Sequence, residues 1–122
     1  MVHVDRTTID SGEQAFSKLL EVMPDVTAIG AVNDSMALGA IRAARAIGRT
    51  VPGDLSVIGF DDIAWAQLND PPLTTLQIPK RQLGVEAANR LIILLKEPEA
   101  APTNLTLAVK LIERASTRAL PH

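Results

Sequence analysis

Cysteine is absent, which excludes disulfides and thiolate metal sites and is compatible with a reducing cytosol. A basic surplus is missing too: 12 Lys and Arg stand against 14 Asp and Glu, a net charge of −2, so the chain alone has little with which to neutralise phosphates. Any contact with DNA must come from elsewhere. No apolar run reaches the roughly 18 residues that span a bilayer, and Met1-Val-His-Val-Asp-Arg6 lacks the charged-then-apolar layout of a signal peptide. The expectation is a cytoplasmic chain with no membrane contact. Histidine is scarce, with only His3 and His122, too few and too far apart for a metal cluster or a Ser-His pair. Hydrolytic chemistry is thereby disfavoured, and no catalytic residue, metal or cofactor is expected. What remains, 122 residues of which 47% are hydrophobic, suffices for one domain, or part of one, with a real core.

Ser11 with Gln14 has the form of a capping box, and Phe16, Leu19, Leu20 and Met23 follow at helical spacing until Pro24, which predicts a helix over 11–22. Val26-Thr-Ala-Ile-Gly-Ala-Val32 has strand length and enough continuous apolar character to be buried on both faces of a parallel sheet. Asn33-Asp34 can cap a second helix carrying Met36, Ala40, Ala43, Ala44 and Ile47 on one stripe, with Gly48 at its C′ position. After the turn Val51-Pro-Gly-Asp54, Leu55–Phe60 reads as another buried strand and closes a parallel, right-handed strand–helix–strand unit.

Asp61-Asp62, the stretch around Trp65 and Leu68, and Pro71-Pro72 predict an ordered loop. From Pro79 onward, Leu83, Ala87, Leu91, Leu94 and Leu95 share one helical face opposite Gln82, Glu86 and Asn89, which predicts a helix over 80–96. Glu97–Pro102 is a loop, and the alternation of Leu105, Leu107, Val109 and Leu111 with Thr106, Ala108 and Lys110 predicts a half-exposed strand.

In an open parallel α/β sheet, ligands bind beyond the carboxyl ends of the strands. Asn33-Asp34 follows one strand and Asp61-Asp62 the next, so both pairs face one crevice if the strands are neighbours. A carboxylate accepts from two hydroxyls and a carboxamide both donates and accepts, which suits recognition of a polyol. Blander readings stand beside this one. Asn33 or Asp34 can serve only as a helix N-cap, and Asp61-Asp62 can be a solvated turn. An acidic pair after a strand can also hold Mg²⁺ or act in phosphoryl transfer, although no second acidic cluster accompanies it.

On a helical wheel Leu38 falls between Arg42 and Arg45, opposite the Met36/Ala40/Ala43/Ile47 stripe. With Ile63, Trp65 and Leu68 offered by the nearby loop, a subunit interface is expected, unless Trp65 packs inward. Ile93 likewise lies on the polar side of its helix, near Glu86 and Gln82, which suggests that this helix touches more than the chain's own core.

Four blocks in order carry a resemblance over about Ser11 to Arg118: Ala31-Val-Asn-Asp-Ser-Met-Ala-Leu-Gly-Ala-Ile-Arg-Ala43, Val51-Pro-Gly-Asp-Leu-Ser-Val-Ile-Gly-Phe-Asp-Asp62, Pro72-Leu-Thr-Thr-Leu76 and Leu111-Ile-Glu-Arg-Ala-Ser116. Together they resemble the LacI/GalR repressor family. Single blocks are also similar to periplasmic sugar-binding proteins of the same fold, and the last two favour a repressor. The resemblance implies an α/β fold, a Rossmann-like parallel-sheet subdomain of the periplasmic-binding-protein-like type I fold, with most of the N-terminal subdomain absent. It implies a C-terminal effector-binding subdomain over 1–75, a crossover and an N-terminal-subdomain helix over 76–104, and a returning strand and tail over 105–122.

It further implies that Asn33 and Asp61, with Asp34 and Thr7 beside them, line the effector site, and that Leu38, Arg42, Ile63, Gln67, Leu68 and Asn69 lie in a homodimer interface. Two departures stand out. Thr7 occupies the place where many members put an aromatic platform, and the arginine that commonly clamps the effector falls upstream of Met1. The uncovered apolar faces of helix 80–96 predict self-association. The expected function is a non-enzymatic regulatory module that binds a sugar or nucleoside and relays this to a separate helix-turn-helix headpiece on operator DNA. The rivals are a fragment of a periplasmic sugar-binding transport protein and a Mg²⁺-dependent phosphoryl-transfer enzyme using Asp61.

Overall fold

A computed structural model describes residues 1–119; His122 lies outside the described residues. The elements run α1 (Ile9–Val22), β1 (Ala28–Gly30), α2 (Asp34–Ala46), β2 (Ser56–Phe60), α3 (Ala64–Leu68), β3 (Thr74–Gln77), α4 (Lys80–Lys96) and β4 (Lys110–Ile112). The strands form one sheet in the order β1-β2-β3-β4. The first three are parallel, and β4 returns antiparallel to β3. The architecture is therefore the expected α/β sheet.

The core lies between α1, α2 and one face of the sheet. Phe16, Ala37, Ala40, Ile41, Ala44, Leu55, Val57, Ala66 and Leu73 are all buried. Small residues let α1 and α2 approach closely: a Cβ on Gly12 would meet the Met36 carbonyl oxygen, and one on Gly39 the Ile9 carbonyl oxygen. This contact turns α2 so that Ala37, Ala40, Ile41 and Ala44 face inward; Ala40, Ala43 and Ala44 of the expected stripe lie on the core side, while Met36 is only half-buried and Ile47, the C-cap, is exposed. Gly48 at φ 80 ends α2 as expected. Its N–H donates to the Arg45 carbonyl and the Arg49 N–H to the Ala44 carbonyl, the paired bonds of a Schellman cap.

Three element boundaries differ from expectation. The N-cap of α1 is Thr8, whose hydroxyl accepts from the Ser11 N–H at 3.2 Å, so Ser11 is inside the helix. The run Val26–Val32 narrows to a three-residue strand, exposed on alternate residues, because β1 is the sheet edge and has only β2 beside it. The alternating segment 105–112 becomes a strand only at Lys110–Ile112. Lys110 pairs with Gln77, the last residue of β3, and residues 105–109 have no partner strand beyond that point.

Two elements were not expected as such. The loop after Asp62 contains the five-residue helix α3, and Thr74–Gln77 is a full strand of the sheet. Helix α4 occupies the expected residues but buries none of them; Leu83, Leu91 and Leu95 are all more than half exposed. No described helix is long and apolar enough to cross a membrane.

Candidate functional site

Because β1, β2 and β3 are parallel neighbours, the residues that follow them share one edge of the sheet. Asn33 stands after β1, Asp61 and Asp62 after β2, and Gln77 closes β3. Asn33 is the N-cap of α2: its Oδ1 accepts from the Met36 N–H at 2.9 Å. Its Nδ2 donates to the Thr7 carbonyl at 3.2 Å, which joins the Thr7 segment to the rim. The capping reading of Asn33 is thus true of the structure, and it fixes the carboxamide in place without excluding contact with a ligand.

Asp34 departs from expectation. It is fully buried, with Oδ1 accepting from the Thr75 hydroxyl and Oδ2 from the Ile63 N–H at 2.8 Å. Gly59 leaves the room for it: a Cβ there would come within 2.2 Å of Asp34 Oδ1. Asp34 therefore ties the β2–α3 loop to β3 from inside and offers no free oxygen to a ligand.

The Asp61-Asp62 pair also divides. Both residues have positive φ, 112° and 51°, and neither is glycine. Asp62 turns inward, with Oδ1 receiving Arg114 Nη2 at 2.7 Å and Oδ2 receiving Gln77 Nε2 at 2.7 Å. Arg114 also donates through Nη1 to the Leu73 carbonyl at 2.8 Å. Asp61 is half-buried, its N–H donates to the Leu76 carbonyl at 2.9 Å, and its carboxylate has no hydrogen bond or ion pair among the described residues. Of the acidic residues at this rim, Asp61 has the uncommitted side chain.

The Arg114 hydrogen bond holds the Asp62 carboxyl below the usual carboxylate range, with help from Gln77 and against the opposing effect of burial. A group depressed in the folded state stabilises the fold above its unfolded pKa of about 3.9 and loses that contribution as pH falls through the lower folded value. Urea unfolding below about pH 4 is therefore expected to show a stability loss in the parent chain that is smaller in Asp62→Asn. Equal slopes in the two proteins would contradict the assignment.

The expected interface residues lie together but are not alike. Leu38, Arg42, Arg45, Trp65, Leu68 and Asn69 line a groove of about 540 Å³ between α2 and α3. Trp65 and Leu68 are 68% and 72% exposed, so Trp65 does not pack inward. Gln67 is exposed as well. Arg42 reaches Glu13 and Asp10 of α1, which lowers the Glu13 pKa and raises that of Arg42. Leu38 and Ile63 are both half-buried, each packed on its inner side against the core, with Ile63 the N-cap residue of α3.

A cavity of about 690 Å³ lies beside the rim, between the N-terminal segment, α1, β1 and α2, and meets the rim at Thr7 and Met36. Phe16, Leu19, Val26 and Ile29 make its walls mostly apolar, with few groups to orient a hydroxylated ligand. The rim supplies the polar groups that can orient a hydroxylated ligand there. Arg114, Thr75 and Gln77 support that rim and have no local sequence signature, because their partners lie 52, 41 and 15 residues away.

A sequence profile of the periplasmic binding protein-like domain matches residues 1–117. The transcriptional repressor CytR of Escherichia coli K12 is 40% identical over 114 residues, which are 93% of this chain and 33% of that protein. The structure of the regulator CelR in complex with cellobiose superposes with a TM-score of 0.85 at 39% identity, over 89% of this chain and 33% of that one. The lac repressor dimer bound to operator and an anti-inducer gives 0.82 at 38% identity, over 92% and 39%. The chain spans about a third of the length of the curated relatives it matches.

Proposed function

The chain belongs to the periplasmic-binding-protein-like domain family, in the form carried by LacI-type regulators, and on that premise we propose that it is the effector-sensing part of a transcriptional repressor. The observation that carries the reading is the rim itself. Asn33 is fixed by Met36 and Thr7, and Asp61 stands on the same sheet edge with its carboxylate free. A sugar or nucleoside presents vicinal hydroxyls, which a free carboxylate and a carboxamide recognise together. Thr7, Asn33 and Asp61 are the proposed effector residues, whereas Asp34 supports them from inside.

No bond is made or broken in this mechanism. An effector that fits one arrangement of the crevice better than another shifts the population toward it, and the shift alters the relation between two headpieces on operator DNA. Residues 1–75 form the effector subdomain, 76–104 the crossover with α4, and 105–122 the return. The exposed apolar face of α4 supports its packing against a further part of the protein. The site of action is the cytoplasm. The transport reading lacks support, since the relatives named are regulators of transcription. The phosphoryl-transfer reading loses its second carboxylate, because Asp62 is engaged by Arg114 and Gln77.

The homodimer is proposed to form on Leu38, Arg42, Ile63, Gln67, Leu68 and Asn69, with the exposed Trp65 beside them. Leu38→Glu is expected to convert a dimer into a monomer by light scattering, and an unchanged mass would remove Leu38 from the interface. For the effector, thermal melts with ribose, lactose, cellobiose and nucleosides at millimolar concentration test the reading. One of them is expected to raise Tm, by the equivalent of about 2.7 kcal/mol at a hundredfold excess over Kd, and Asp61→Ala is expected to abolish the rise. A rise that survives in Asp61→Ala would contradict the site.

A further inference from the structure

We propose that Arg114 and Asp62 form a positioning pair that presents the Asp61 carboxylate at the crevice rim, an assignment that rests on the effector reading above. Asp61 at φ 112° lies where side chains with a Cβ are rarely found, and Asp62 at φ 51° is in the left-handed region that Asp enters more readily than most residues. What holds the turn there is visible. Asp62 is gripped at both carboxylate oxygens, by Arg114 Nη2 and Gln77 Nε2 at 2.7 Å each. Arg114 is itself fixed at two further points, through Nη1 to the Leu73 carbonyl at 2.8 Å and through its backbone N–H to the Thr74 hydroxyl at 2.9 Å.

The Arg114 and Asp62 side chains are only 16% and 13% exposed, so the charge-assisted bond between them is little weakened by water. On the other side of the turn the Asp61 N–H is held by the Leu76 carbonyl at 2.9 Å. The Asp61 N–H and both Asp62 carboxylate oxygens are held, while the Asp61 carboxylate has no partner among the described residues. A solvated turn has no need of such a frame, since an ordinary Asp turn bonds its own backbone. A ligand contact does need it, because affinity depends on holding the acceptor in the bound geometry beforehand. The same grip joins the end of β3, from which the chain runs into α4, to the segment that follows β4. Arg114 thus acts on the rim without touching the effector.

The experiment is amide hydrogen exchange on the 122-residue chain, in the parent and in Arg114→Gln, Asp62→Asn and Arg114→Lys. Arg114→Gln and Asp62→Asn are expected to speed exchange at the Asp61 N–H by about tenfold or more. Exchange at the Val57 N–H, which bonds Ser116 within the core, is expected to stay unchanged. Arg114→Lys restores part of the protection, because one charged donor remains where two were used. Exchange that rises equally at Val57, or that does not rise at Asp61, overturns the pair as a positioning device and leaves it a plain clamp between strands.

This arm needs no ligand. If Asp61 responds as expected but ribose, lactose, cellobiose and nucleosides all fail to raise Tm, the pair stands and the effector reading falls. Where one of these ligands binds, Arg114→Gln is expected to weaken it about tenfold, with partial rescue by Arg114→Lys, and an unchanged Kd would overturn the proposal.

Discussion

Gly39→Val is expected to destabilise the fold by more than about 3 kcal/mol and to lower Tm by roughly 10–15 °C. At this position the two helices nearly touch through their backbones: an added Cβ would lie 2.0 Å from the Ile9 carbonyl oxygen and 3.0 Å from the Glu13 nitrogen. Neither neighbour is a flexible side chain that can swing away, so α1 must move as a body. That movement pulls Phe16 and Ser11 out of the core face that they share with Ala37 and Ala40. Gly84 in α4 is the control, since a Cβ there meets nothing within 4 Å. Gly84→Ala should stabilise its helix by about 0.5–1 kcal/mol. An added Cβ therefore has opposite effects at the two glycines, which thermal melts of Gly39→Ala and Gly84→Ala read directly, and similar effects at both would contradict the close packing of α1 on α2.

Asp34→Ala is expected to cost about 2–4 kcal/mol, for a different reason. It leaves the Ile63 N–H and the buried Thr75 hydroxyl without their partner. Asp34→Asn is expected to cost much less, about 1 kcal/mol. Its carboxamide oxygen can still accept from Ile63, while the Thr75 hydroxyl rotates to accept from the amide N–H. Urea unfolding of the two variants separates them, and equal losses would contradict the neutral replacement and mean that the ionised carboxylate itself is required. The damage should reach the rim as well, because Ile63 follows directly on the Asp61-Asp62 turn.

Helix 80–96 was legible in the sequence because seventeen residues repeat one pattern between Pro79 and the loop after Lys96. Gly48 was legible because a helix end needs a residue tolerant of positive φ. The neighbouring placement of β1 and β2 followed from the strand–helix–strand order. β3 was not legible: four residues after Pro71-Pro72 show no alternation, and their strand character comes from β2 and β4 on either side. Ser11 fitted a capping pattern that Thr8 fulfils three residues earlier, since both are hydroxyl residues at the same helix start.

At the site, position beyond the strand ends brought out the two pairs and the family resemblance singled out Asn33 and Asp61, while Asp34 was expected to share the role of Asn33 and Asp62 was given none. The structure separates them by direction. Asp34 and Asp62 point inward to partners 41 and 52 residues away, and no local spacing signals partners at that distance. The expected stripe on α2 held at Ala40, Ala43 and Ala44 and missed at Met36 and Ile47, because the buried face is set by the neighbouring helix, here through Gly12 and Gly39.

The most direct test of the central claim is a map of amide chemical shifts on adding the sugar or nucleoside that stabilises the chain. The account predicts perturbations centred on Thr7, on Asn33 to Met36 and on Asp61 to Ile63. Perturbations confined to Phe16, Leu19, Val26 and Ile29, in the apolar groove beside β1, would contradict it and place the ligand outside the polar rim.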